Sequence, residues 1–173
     1  MRRVIVCTAT LLLTLVLAAP PGFSQVSTSP GKKVAFETAK GVPLPGSPLP
    51  VLTAAIVKGK PKHVITVDAM MRVDLCPGPG TLSLGATVNG LEMHPTGWFG
   101  TWHSAIQECA GVGMGCTVTA TLITDLDNAE VLSPGTFVNQ PLTITLRGGD
   151  VGPGGCEGQP VDVSMIVRME KKK

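Results

Sequence analysis

Aromatic side chains are scarce in this 173-residue chain, which has no tyrosine, two tryptophans and four phenylalanines. A sugar-cleaving cleft needs two carboxylates at a suitable separation, and ligand clefts are commonly lined with aromatic side chains. The chain has 12 Asp and Glu residues but no pattern that pairs two of them. It also lacks the G-x-S-x-G motif of serine hydrolases and a phosphate-binding loop. We therefore predict a protein that is not an enzyme and binds no cofactor, with a small secreted hydrolase as an alternative.

Long apolar runs are limited to one, Val4–Ala19, which follows two arginines near the N-terminus. The run is about 16 residues long, short of the roughly 20 that a membrane-spanning helix needs. Small residues then stand at the −3 and −1 positions of a cleavage site before Gln25, as in a secretory signal. We predict that residues 1–24 are a signal peptide and that the mature chain is secreted or periplasmic, without a membrane span.

An excess of positive charge is also missing from the predicted mature chain. The signal holds two of the 14 Lys and Arg residues and none of the 12 acidic ones, so 12 of each remain. Binding to nucleic acid needs clustered Lys and Arg residues that neutralise phosphates. The small basic clusters that remain are typical of solvated chain ends and a turn. The composition therefore predicts no nucleic-acid partner.

Cysteine is used sparingly, and four of the five cysteines lie outside the signal: Cys76, Cys109, Cys116 and Cys156. An even number in an exported chain predicts two disulfides, and the absence of a C-x-x-C pair disfavours zinc. Three connectivities are possible. We favour Cys109–Cys116, which closes a short loop, together with Cys76–Cys156. The latter two lie in the loops CPGPG and GPGGCEG, which lack apolar anchors of their own.

Short β-strands separated by turns fill most of the chain. Apolar residues alternate with Thr, Ser or Asp in several segments, the pattern of a strand with one buried face. The Asn89-Gly90 pair predicts a two-residue hairpin turn, because both residues tolerate positive φ. The predicted strands are residues 51–57, 63–73, 81–88, 91–94, 116–124, 140–148 and 161–169. This series predicts an all-β fold, a single antiparallel β-sandwich or jelly-roll-like domain over residues 51–173.

Prolines punctuate the segment between the signal and the first of these strands. Residues 25–50 are rich in Ser, Gly, Pro and Lys and end in GVPLPGSPLP. Proline removes a backbone donor and is excluded from central strands. We predict a flexible leader over residues 25–50, in which residues 32–38 could add one edge strand.

The stretch MHPTGWFGTWH, residues 93–103, contains both tryptophans and two of the three histidines; we call it the Trp-His segment. Trp98 and Trp102 are four residues apart and share one face in either a strand or a helical turn. The favoured interpretation is that both indoles are buried and close one end of the sandwich. The alternative is a platform for a sugar ring or another flat ligand, with His94 and His103 orienting it.

Two metal sites are further alternatives. Met93 and Met114 could join His94 and His103 in a set of soft ligands that suits Cu(I). Calcium could bind to Asp125, Asp127 and Glu130, but the spacing of these acids does not fit an EF-hand loop. Instead, residues 125–135 predict one short helical turn with Asp127 as N-cap and Glu130 three residues later.

Taken together, these features predict an exported, disulfide-stapled, non-catalytic β-sandwich domain with a binding or structural role in the periplasm or at the cell surface. A carbohydrate- or copper-binding module that uses the Trp-His segment is the alternative. The expected partner is a protein or a glycan at the cell surface, and a homo-oligomer is compatible with the sequence.

Overall fold

The computed structural model of the protein describes residues 31–56, 58–95, 104–110, 113–126 and 137–172. These residues form two antiparallel sheets that pack face to face, as the sequence predicts for a β-sandwich. The strands are β1 Lys32–Pro43, β2 Leu49–Ile56, β3 His63–Cys76, β4 Gly80–Val88, β5 Leu91–Glu92, β6 His94–Pro95, β7 Ser104–Cys109, β8 Met114–Asp125, β9 Leu142–Asp150 and β10 Pro160–Lys171.

The first sheet has the strand order β1-β10-β3-β8-β6. The second sheet has the order β2-β9-β4, and the other side of β4 is shared by β5 and β7. All pairings are antiparallel. The chain passes between the sheets several times, so that strands from distant parts of the sequence become neighbours.

The core lies between the sheets and is built from alternate residues of each strand. On β3 the buried side chains run from Ile65 to Val73 at every second position, and those of β10 run from Val161 to Met169 in the same way. This period of two is what a strand with one buried face requires. Phe137 is the one aromatic side chain in the core of the described ranges. Aliphatic and methionine side chains therefore supply the bulk of this described core.

The solvent face of the first sheet carries a polar network that links three strands. Asp68 on β3 accepts a hydrogen bond from the Thr121 hydroxyl on β8 at 3.0 Å. The same carboxylate pairs with the Arg168 guanidinium on β10 at 3.3 Å. Cross-strand pairs of this kind stabilise an antiparallel sheet modestly.

Six of the seven predicted strands are confirmed, with shifts of a few residues at their ends. The predicted strand at residues 91–94 is instead divided into two short strands, β5 and β6, which pair in different sheets. The hairpin at Asn89-Gly90 is also confirmed, because both residues adopt positive φ, 48° and 86°. Asn89 additionally accepts a hydrogen bond from the Thr143 backbone N–H at 2.7 Å, which ties the turn to β9.

The prediction of a flexible leader over residues 25–50 is wrong for residues 31–50. Lys32–Pro43 form β1, a 12-residue strand along β10, and β2 begins at Leu49. Both strands lie at sheet edges, where proline is tolerated because one side of the strand needs no partner. The leader's Leu44 is buried between them. The suggested edge strand at residues 32–38 is therefore real, and the sandwich begins well before Val51.

One further strand escaped prediction. Ser104–Cys109 form β7, which pairs with the first half of β4. Its side chains are half-buried or exposed except for Cys109, so the sequence SAIQEC shows no alternation of buried and exposed residues. Without that alternation, pattern analysis has nothing to detect.

The predicted helical turn, residues 125–135, lies mostly outside the described residues and stays a prediction. Its first residue, Asp125, ends β8. The described ranges contain strands and turns but no helix. Accordingly, no helix in these ranges has the length and apolar character to cross a bilayer.

Candidate functional site

The Trp-His segment connects two strands that belong to different sheets. Near its start, His94–Pro95 pair with β8 at the edge of the first sheet. After it, Ser104–Cys109 pair with β4 in the second sheet. Trp98, Trp102 and His103 lie outside the described residues, so the platform and core interpretations of this segment both remain predictions.

The structure does not bring together all members of the predicted copper set. Met93 is buried in the core, and its backbone N–H donates to the Ala86 carbonyl at 2.9 Å. Met114 is 62% exposed at the start of β8, whereas His94 pairs with Ile123 nine residues further along that strand. Nine residues of strand span roughly 30 Å. Met114 is therefore remote from His94.

Of the predicted calcium ligands, the described residues include Asp125 alone. Its carboxylate forms an ion pair with the Lys172 ammonium group. Asp127 and Glu130 lie outside the described residues, so the calcium and helix-capping interpretations stay predictions. The Asp125 carboxylate therefore already has a positively charged partner, Lys172.

Histidine chemistry is limited in the described part of the chain. His63, whose side chain is the one histidine ring described, is the first residue of β3, and its Nδ1 atom lies 2.7 Å from the Pro61 carbonyl oxygen. This contact holds the ring against the preceding turn.

Cys76, Cys109, Cys116 and Cys156 meet at one end of the sandwich; we call them the disulfide cluster. Cys76 is bonded to Cys156 across 80 residues, and Cys109 to Cys116 across seven, the favoured connectivity of the three. The sulfur atoms of Cys76, Cys109 and Cys156 lie within 4.8 Å of one another, and all three residues are buried. Zinc is bound by thiolate sulfur, which an oxidised pair does not offer. The cluster in this state is a pair of adjacent disulfides.

Asp150, at the end of β9, lies beside this cluster and is 1% exposed. One carboxylate oxygen accepts from the backbone N–H groups of Thr81 at 2.8 Å and Gly152 at 3.1 Å. The other accepts from the Cys156 N–H at 2.8 Å. A buried carboxylate requires such partners, since an unpaired buried charge is very costly. Asp150 thereby fixes the position of Cys156 relative to β4.

These contacts set the ionisation of Asp150. Burial alone raises the pKa of the carboxyl group, because it disfavours the charged form. The three backbone N–H groups favour the charged form and together outweigh burial, so that the pKa of Asp150 is lowered from its ordinary value of 3.8. Asp150 is therefore an ionised structural group at neutral pH.

Glycines allow the loops at this end to approach one another closely. A Cβ atom on Gly80 would lie 2.6 Å from the Cys156 sulfur and 2.8 Å from an Asp150 oxygen. A Cβ atom on Gly155 would lie 2.2 Å from the Pro79 carbonyl oxygen. The predicted loops CPGPG and GPGGCEG thus pack backbone to backbone, with no room for side chains. The glycine content of these segments predicted that they are loops, but nothing in the sequence predicted that Asp150 accepts hydrogen bonds from the second of them.

Comparison with known proteins gives little further guidance. No protein-family model matches the chain, and no curated protein matches it. One similar solved chain belongs to "Structure of black queen cell virus". It is 10% identical, with 99% of this chain and 86% of that chain covered, at a TM-score of 0.28. A likeness at this level carries no argument about function.

Proposed function

We propose that the chain is an exported, non-catalytic β-sandwich domain with a binding or structural role in the periplasm or at the cell surface. The observation that carries this proposal is the pair of disulfides at one end of the fold. Cytosolic thiols are kept reduced, whereas disulfides persist in exported proteins. The apolar N-terminal run, Val4–Ala19, supports the same compartment.

A non-catalytic role is supported by the way polar groups are used at the disulfide end. Both carboxylate oxygens of Asp150 accept hydrogen bonds from backbone N–H groups. A general base or nucleophile must instead present its atoms to a substrate. The Asp150 carboxylate therefore has a structural role.

The Trp-His segment is proposed to close one end of the sandwich. It contains β6 of the first sheet and is followed by β7 of the second sheet, so that it connects the two sheets. A protein or glycan at the cell surface is the proposed partner. A carbohydrate- or copper-binding module that uses Trp98, Trp102, His94 and His103 is the second candidate.

Tryptophan substitutions distinguish a structural segment from a ligand platform. If Trp98 and Trp102 complete the core, replacing either by alanine lowers the free energy of unfolding by about 3–5 kcal/mol, the usual effect of truncating a buried aromatic. We expect this result, because the described core contains Phe137 as its one aromatic side chain. Denaturant unfolding measures the loss, and Phe36→Ala serves as the control because Phe36 is 50% exposed on β1.

A platform would behave differently in the same experiment. Trp98→Ala and Trp102→Ala would then unfold like the wild type and lose binding to a glycan array, and the indole fluorescence of the wild type would be red-shifted and readily quenched by acrylamide. That outcome would replace the structural interpretation of the segment with the carbohydrate-binding one.

A further inference from the structure

We propose that the disulfide cluster is a thiol–disulfide exchange site, which an external thiol attacks at Cys116 and in which Cys109 relays the exchange to the buried Cys76–Cys156 bridge. This inference depends on the geometry of the four cysteines and not on the binding role proposed above. The class of substrate is a small thiol or a cysteine thiol of another protein.

The first support is the distance between the two bridges. The Cys109 sulfur lies within 4.8 Å of the sulfurs of both Cys76 and Cys156. A disulfide bond is about 2.05 Å long, so a shift of less than about 3 Å brings Cys109 to bonding distance of either one. Here the second bridge lies within reach of a thiolate released from the first.

The second support is the absence of a side chain at the crossing point. Gly80 is the register partner of Cys109 on the neighbouring strand. A Cβ atom at Gly80 would come within 2.6 Å of the Cys156 sulfur, so any larger residue would displace that sulfur. Because Gly80 has no side chain, the Cys156 sulfur can pack against the backbone of Gly80, which lies opposite Cys109 on the neighbouring strand.

The third support is a difference in access between the two bridges. Cys76 and Cys156 are fully buried, whereas Cys116 is 9% exposed and is the most accessible of the four. The described residues next to it in the short loop, Gly113 to Gly115, are exposed. Exchange rates depend on which sulfur an attacking thiolate can reach. We therefore place the first attack of an external thiolate at Cys116.

The exchange conserves atoms and electrons at each step. An external thiolate attacks the Cys116 sulfur, forms a mixed disulfide there, and releases Cys109 as a thiolate. Cys109 then attacks the Cys76–Cys156 bond, forms a new disulfide with one of these sulfurs, and releases the other as a thiolate, which takes up a proton. A second external thiol can resolve the mixed disulfide at Cys116. The overall change is a two-electron reduction of the protein with oxidation of two external thiols to a disulfide.

A pair of single substitutions tests the relay without any added reductant. Cys116→Ala leaves Cys109 as a free thiol beside the buried bridge, and Cys109→Ala leaves Cys116 free instead. After acid quenching and alkylation, peptide mapping of Cys116→Ala should show disulfides that contain Cys109 and free thiol at Cys76 or Cys156. The matched Cys109→Ala variant should keep Cys76–Cys156 and a free Cys116. The relay is wrong if both variants show Cys76–Cys156 as their sole disulfide.

The wild-type protein provides a second measurement that does not depend on how the variants fold. The oxidised chain is treated with limiting reduced glutathione under native conditions, quenched with acid and mapped. We expect the glutathione adduct mainly on Cys116, together with disulfides that join Cys109 to Cys76 or Cys156. An adduct mainly on Cys109, or reduction of Cys109–Cys116 with no new pairing of Cys109, would overturn the proposal.

Discussion

Replacing Cys76 and Cys156 together by alanine is expected to lower the free energy of unfolding by about 4.5 kcal/mol, the chain-entropy value for a bridge that encloses about 80 residues. The same double replacement of Cys109 and Cys116, which are seven residues apart, is expected to cost about 2.4 kcal/mol. Double alanine variants leave no unpaired thiol that could form a new bond. Urea unfolding monitored by circular dichroism measures both losses.

The expected order follows from what each bridge restrains in the unfolded chain. Cys76–Cys156 joins the end of β3 to the loop before β10 and so limits 80 residues of chain. Cys109–Cys116 restrains a loop that is already short, between β7 and β8. A larger loss from the Cys109–Cys116 replacement than from the Cys76–Cys156 replacement would contradict this explanation of the bridges.

Asp150→Ala is expected to lower the free energy of unfolding by at least about 1–3 kcal/mol, because the buried Cys156 N–H loses its acceptor at that cost and the part-buried N–H groups of Thr81 and Gly152 lose theirs as well. Asp150→Asn keeps the shape of the side chain but places an N–H₂ group among donors, and it should be destabilising too. Asp162→Ala is the control, since that carboxylate accepts one exposed hydrogen bond, from the Gly41 N–H. Chemical unfolding at neutral pH compares the three variants.

The pH dependence gives a sharper test of the same contact. The pKa of Asp150 in the folded protein is lowered from 3.8, so the ionised group contributes stability that is fully present above the unfolded value. That contribution is lost as the pH falls below 3.8 and through the folded pKa. The stability difference between the wild type and Asp150→Asn should therefore shrink on acidification below that value. A difference that stays constant down to the lowest pH at which both fold would contradict the ionised assignment.

Much of this fold could be predicted because buried strands impose a period of two on their residues. β8 and β10 alternate buried residues with half-buried or exposed ones almost perfectly, and the cysteines flank loops that sequence alone identifies by glycine and proline. β1 and β7 escaped this pattern in whole or part, since each is largely exposed and follows no strict alternation. Such strands are defined by their neighbours in the sheet and not by their own residues.

The candidate site was less accessible to prediction. Asp150 stands in the stretch GGDVGPGG, which is typical of a solvated loop, and nothing local indicates that three N–H groups converge on it. Their donors, Thr81, Gly152 and Cys156, come from β4 and from the loop after β9, so the site depends on tertiary structure. Met114 is the converse case, a residue whose chemistry suggested a site that the fold does not assemble. Its thioether is a suitable ligand for a soft metal ion, but the register of β8 places it far from His94.

A non-reducing peptide map and the intact mass of the protein from the exported fraction of its cells test the export and the two disulfides together. Acid quenching before alkylation preserves the native pairing. We expect a chain that begins near Gln25, no alkylated cysteine, and the two links Cys76–Cys156 and Cys109–Cys116. A cell-retained chain that keeps residues 1–24 and carries all five cysteines alkylated in its folded form would contradict both the compartment and the stapled fold.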